Sequence, residues 1–198
     1  AAYRRARCAT RSETAGSVSV SLMRARFSVT ILAGIALWLA FTGNGDAFDP
    51  LVIQDAAAVP AGALAGAETI GQTFVFHYPR LSAIQIRWIV SDDFACASDC
   101  RVILHLRRRV DDATDVATAS GSVNKVYHND LVRFEFSPLE DSQDQAFYFF
   151  LDASKAAITR GALSVWASDD DAYPDGEMRV NARPTDADLA FRAYSAPD

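Results

Sequence analysis

Five carboxylates fall within nine positions of the run 169–177: Asp169, Asp170, Asp171, Asp175 and Glu177. Carboxylate oxygens that converge in a loop can hold Ca2+, so these five are candidate ligands for a structural calcium. The spacing is not that of a helix–loop–helix calcium site, and Pro174-Asp175-Gly176 is turn chemistry in its own right. A solvated acidic loop is the competing reading, and no cofactor is expected to be required. Asp92 and Asp93 form a second acidic spot, which sequence alone cannot place near or far from the first.

Cys96 and Cys100 lie in the phrase FACASDC. The spacing is not C-x-x-C, and no neighbouring histidine completes a metal set. A local disulfide closing a short loop is expected, on the oxidising side of a membrane. Cys8 lies apart and is expected to be a free thiol. His77, His105 and His128 are isolated from one another. No H-E-x-x-H pair, G-x-S-x-G elbow or phosphate-cradling glycine loop is present, so the chain is not expected to be an enzyme. Aromatic residues off the core pattern say more. Trp166 neighbours the core position Val165 and is expected to point outward, where an indole can stack on a sugar ring or anchor an interface. Tyr127, Tyr173 and Tyr194 lie near loops or strand ends.

Strands must position these residues. Phe74, Phe76 and Tyr78 alternate with Val75 and His77, and Ile84, Ile86 and Trp88 with Gln85 and Arg87. Val102, Leu104 and Leu106 alternate with Ile103 and His105, and Val132, Phe134 and Phe136 with Arg133 and Glu135. Phe147–Leu151 is almost wholly apolar, as a central strand is. Leu163 and Val165 lie in another run, and Leu189, Phe191 and Ala193 in the last. Period-two alternation puts one face of each strand in a core. Turn-rich stretches separate the runs, and no long helix is predicted among them. The expectation is an all-β domain over 68–198, an antiparallel β-sandwich or jelly roll.

What precedes the domain is different in texture. Residues 44–67 are rich in Ala and Gly, with Pro50 and Pro60, and predict an extended linker. Leu51, Val52 and Ile53 are expected to be exposed there unless a partner covers them. Phe27–Phe41 carries no charge, and Thr42 and Gly43 extend it to 17 residues, the short end of a bilayer span. Arg24 and Arg26 precede it, Trp38 sits near its far end, and Asp46 and Asp49 follow. This pattern predicts a single transmembrane helix over 27–43 with the N-terminus cytoplasmic. A cleaved signal peptide shares the pattern, with Gly45 and Ala47 as a weak cleavage site. Residues 1–26 hold six arginines against one glutamate, a charge of +5, whereas residues 27–198 carry −11 of the chain's net −6. Two environments explain this asymmetry: a basic cytoplasmic tail, with Arg4, Arg5 and Arg7 as interface candidates, and an acidic domain outside. The acidic domain would repel a phosphate backbone, so no nucleic-acid partner is expected.

Several phrases occur in order: Gly71-Gln72-Thr73-Phe74 followed by Leu81-Ser82-Ala83-Ile84, Phe136-Ser137-Pro138-Leu139 followed by Asp141-Ser142, Ala172-Tyr173-Pro174-Asp175-Gly176, and Asp188-Leu189-Ala190-Phe191-Arg192. Together, over about residues 68–195, they resemble an uncharacterised extracytoplasmic β-sandwich domain attached to bacterial membrane proteins. That resemblance implies a jelly-roll-like domain held outside the inner membrane, on the periplasmic side. It implies no catalytic residue.

Two functions follow as expectations. The first is a non-catalytic accessory subunit of a larger bacterial membrane complex, tying cytoplasmic, membrane and periplasmic surfaces together through lipid and subunit contacts. A photosynthetic reaction-centre–antenna assembly is one candidate host, although no histidine in or beside 27–41 offers a pigment ligand. The second is a membrane-tethered carbohydrate-binding module, which requires outward aromatics such as Trp166 beside a groove.

Overall fold

The computed structural model describes residues 49–97 and 100–197. The basic tail and the expected span, with Arg4, Arg5, Arg7, Cys8 and Trp38, lie outside the described residues. Among the described residues no helix is long and apolar enough to cross a membrane.

The described chain is all-β. Its strands are β1 (Val52–Gln54), β2 (Val59–Pro60), β3 (Thr69–Phe76), β4 (Leu81–Val90), β5 (Ala95–Cys96), β6 (Arg101–Arg107) and β7 (Ala117–Ser122). There follow β8 (Leu131–Leu139), β9 (Gln145–Asp152), β10 (Ile158–Arg160), β11 (Leu163–Ala167), β12 (Met178–Val180), β13 (Arg183–Pro184) and β14 (Phe191–Ser195). Every pairing among them is antiparallel.

Two six-stranded sheets carry the fold. In one, β4 is central: β8 lies along one side, and β14 and β11 lie along the other at successive levels. β1 edges β14 and β2 edges β11. The second sheet runs β13-β12-β3-β9-β6-β7, and a separate ribbon joins β5 to β10.

The alternation explains the packing. Ile84, Ile86 and Trp88 of β4 turn inward with Phe134, Val165 and Phe191, and all are buried. Phe74, Phe76, Phe147 and Phe149 of the second sheet join them in one core. Phe191 ties the two inner faces together, its ring 5.5 Å from Phe74 and 5.4 Å from Phe149. Each such buried ring contributes about 1.5–3 kcal/mol relative to exposure. The middle of β9, Phe147–Leu151, is almost wholly apolar: β9 lies between β3 and β6, and His105 and Arg107 cover the ring of Phe150.

Of the expected linker 44–67, the described part, 49–67, departs from the expectation of a tether. Residues 52–60 are the edge of the first sheet, and Val52, Ala61 and Leu64 belong to the core. Val52 is 7% exposed, so only Leu51 and Ile53 of the expected exposed trio are open to solvent. The physical reason is that Pro and Gly forbid a helix without forbidding an edge strand, and backbone groups of Ala58, Ala61 and Leu64 donate to carbonyls along β11.

Between β11 and β14 the chain leaves the first sheet. Residues 168–188 cross to the second, where β12 pairs with β3, and an antiparallel bridge between Ala167 and Leu189 marks the return.

Candidate ligand-binding groove and the acidic crossing

Trp166 lies on the outer face of the first sheet, between the inward-facing Val165 and Ala167. Its indole Nε1–H donates to Asn129 Oδ1 at 2.8 Å, and His128 meets it edge-on with ring centroids 5.7 Å apart. Sequence reasoning placed Trp166 outward, and it is outward but half-buried.

The loop that supplies His128 and Asn129 is held to the sheet. Asn129 N–H donates to Trp88 O and Trp88 N–H to Asp130 O, both at 2.9 Å. The Asp130 carboxylate accepts from Tyr127 N–H at 2.8 Å. Asn129 has φ 74°, a left-handed conformation that asparagine tolerates better than most residues. Tyr127 is thereby displayed at 73% exposure on a fixed turn.

Two adjoining hollows of about 470 and 490 Å³ open beside this turn. They share Val90, Ser91, Asp92 and His128 in their walls. The wall opposite the turn is braced: Ala162 N–H donates to Ser91 Oγ at 2.8 Å, which in turn donates to Asp93 at 2.9 Å. Gly161, at φ 73°, lets Ser91 and Phe94 close in on its backbone, since a Cβ there would lie 2.4 Å from Ser91 Oγ.

Cys96 and Cys100 are disulfide-bonded, as expected from the sequence. The bond bears on the groove. Cys100 N–H donates to Asn124 Oδ1 at 3.0 Å, and Val123 N–H donates to Cys100 O at 2.9 Å. The bridged loop is thus tied to the strand exit that carries Lys125, Val126 and Tyr127.

The acidic run does a different job. Ser168 opens the crossing and Asp188 closes it, and both are buried. Asp188 accepts from Gln72 Nε2 at 2.7 Å through one carboxylate oxygen and from Tyr173 N–H at 2.8 Å through the other. Gln72 also accepts from Leu189 N–H at 2.9 Å, and Asp188 N–H donates to Ser168 Oγ at 2.9 Å. A buried carboxylate is tolerated only when its oxygens are engaged in this way. Tyr173 packs edge-on against Phe191 and hydrogen-bonds the Val75 backbone. Burial pushes its phenol above the usual range and the nearby Asp175 and Asp188 add to this, while the Val75 contact works the other way.

Of the candidate calcium ligands, Asp169, Asp170, Asp171 and Asp175 are exposed, and Glu177 pairs with Arg179. Asp171 and Glu177 line a small cleft of about 220 Å³ with Asp186 and Asp188. Among the described residues no group of three or more His, Cys, Asp or Glu side chains is arranged to hold a metal ion. Pro174-Asp175-Gly176 forms a turn, closed by Gly176 N–H to Tyr173 O at 3.2 Å. The walls of the Asp92 hollow and of this cleft share no residue, so the two acidic spots form two separate features.

A third polar cluster sits on the outer face of the second sheet. His105 Nδ1 is 2.7 Å from Asp115, which also accepts from Arg107 Nε at 2.7 Å. The imidazole stacks flat on Phe150 at 4.6 Å, and Arg107 covers the same ring at 4.7 Å. Burial alone would push the Asp115 carboxyl up, but His105 and Arg107 together hold it below the ordinary value.

Sequence reasoning met Gln72 and Asp188 only inside the resemblance phrases and gave them no role, and it noted Asp92, Tyr127 and His128 without joining them. The only available signal was the turn chemistry of His128-Asn129-Asp130. No protein-family model matches the chain, and a search of curated proteins finds no match.

Proposed function

We propose that this chain is a non-catalytic accessory subunit of a larger bacterial membrane complex. In this reading a jelly-roll-like β-sandwich stands on the periplasmic side of the inner membrane, held by a single span over 27–43 with the basic tail in the cytoplasm. The observation that carries it is the free edge of the first sheet. β1 and β2 have no strand beyond them among the described residues, and Leu51, Ile53 and Val59 are 37%, 53% and 37% exposed there. An apolar sheet edge invites a partner, and this one follows the expected span by only a few residues. The Cys96–Cys100 bond supports the oxidising side.

The test is extraction of the full chain from membranes in mild detergent, with a photo-crosslinking residue in place of Ile53. Cross-linking to one co-purifying partner at fixed stoichiometry is expected. Recovery of the intact chain from the soluble fraction, or as a lone component of the membrane, overturns the reading.

A second reading is a membrane-tethered carbohydrate-binding module. Trp166 and Tyr127 beside the Asp92 hollows favour it.

A further inference from the structure

We infer that the groove between the 90–94 loop and the 124–129 turn is a subsite for a neutral, β-linked hexopyranose chain. This inference rests on the second reading above and gives it a location and a ligand class.

The argument starts from what is unengaged. Most polar groups around the groove are spent on the fold: Ser91 on Ala162 and Asp93, Asn129 on Trp166, and Asp130 on Tyr127. Among the described residues the side chains of Asp92, Lys125 and His128 find no hydrogen-bond or ion-pair partner, and all three residues are exposed. They line the same hollow as the exposed ring of Tyr127. A carboxylate, an amine and an imidazole supply an acceptor, a donor and a group that can be either. That mixture suits hydroxyls, which donate and accept at once. A phosphate or sulfate would meet Asp92 as a like charge, and a cationic ligand would meet Lys125.

The aromatic component narrows the class. The C–H face of a pyranose packs against an aromatic ring, and it is flattest when the hydroxyls are equatorial and point past the ring edge. Tyr127 supplies such a ring, and Asp92, Lys125 and His128 stand around the same hollow where edge hydroxyls would be read. Binding sites of this kind combine apolar surface with a few placed polar groups. The two adjoining hollows make an open channel rather than a closed pocket, which suits a chain more than a single ring.

Preorganisation is built in. The turn bearing Tyr127 and His128 is fixed through Trp88, and the opposing wall through Gly161 and the disulfide. A ligand therefore meets a backbone already held in place, and only the side chains that read it have to be ordered on binding.

The experiment is calorimetric titration of the full chain, in a detergent without a sugar headgroup, with β-1,4-linked hexasaccharides of glucose and of N-acetylglucosamine. Saturable binding of at least one is expected, weakened tenfold or more by Tyr127→Ala and by Asp92→Asn. Both positions are exposed, and far-UV circular dichroism verifies that the variants fold. Binding that neither variant weakens overturns the groove while leaving the carbohydrate reading in place. No binding of either hexasaccharide overturns the groove as the site for this class, and a glycan array on the same preparation then decides the broader reading.

Discussion

The Asp188 carboxylate accepts a hydrogen bond from Gln72 Nε2 at 2.7 Å across 116 positions of sequence. Gln72 lies in β3 of the second sheet, and Asp188 lies where the chain re-enters the first. Asp188→Ala strands the buried Gln72 amide and the half-buried Tyr173 N–H, and a buried unsatisfied group costs about 1–3 kcal/mol. A loss of roughly 3 kcal/mol in urea unfolding is expected. A double-mutant cycle with Gln72→Ala should give a coupling of about 1–2 kcal/mol. Additive losses would show that the contact does not couple the two sheets.

Gly176 passes so close to β3 that a Cβ would lie 1.8 Å from Thr73 O. Backbone cannot retreat from such a clash as a flexible side chain can. Gly176→Ala is expected to cost about 3 kcal/mol or more, at the top of the overpacking range. Gly66→Ala makes the control. It meets nothing within 4 Å and bears only the strain of φ 60°, about 1 kcal/mol. Chemical denaturation of the two variants side by side checks the ranking.

The acid limb of stability should depend on Asp115. Its folded pKa is depressed by His105 and Arg107, so its contribution is fully present above the unfolded value near about pH 4. That contribution is lost as pH falls through the folded pKa. The stability difference between the parent and Asp115→Asn should therefore be present at about pH 5 and shrink as pH falls below about 4. Denaturation midpoints across that range measure it, and a difference that does not change with pH would refute the assignment.

Cys96 and Cys100 are four positions apart. Closing so small a loop removes little freedom from the unfolded chain, and the loop-entropy relation gives about 2 kcal/mol. Reduction is expected to lower Tm by roughly 4–8 °C for a domain of this size. Scanning calorimetry with and without reductant tests this. A larger loss would mean that the bond also holds the groove wall through Asn124.

The strands were legible because alternation survives in sequence: Ile84, Ile86 and Trp88 announce an inward face, and Phe147–Leu151 a strand covered on both sides. The edge at Val52–Pro60 was not, because its two strands are only three and two residues long and the Ala56-Ala57-Ala58 run between them carries no period. The phrase residues Gln72, Tyr173, Gly176 and Asp188 were visible one at a time. Their meeting depends on the crossing between sheets, which no local pattern encodes. The same holds for Asp92 and Tyr127, whose shared hollow is made by strand order. Trp166 was legible as outward from the parity of its neighbours, but its bond to Asn129 needed a left-handed turn placed beside it.

β14 lies between β1 and β4, with Ala193 paired to Val52 on one side and Ile84 on the other. Its Phe191 also fills the middle of the core. The earliest strand of the domain therefore has nothing to lean on until residues 191–195 have been made and delivered. A fragment that stops before residue 191 leaves β1 and one side of β4 without their shared partner. Closure of the first sheet thus waits on β14.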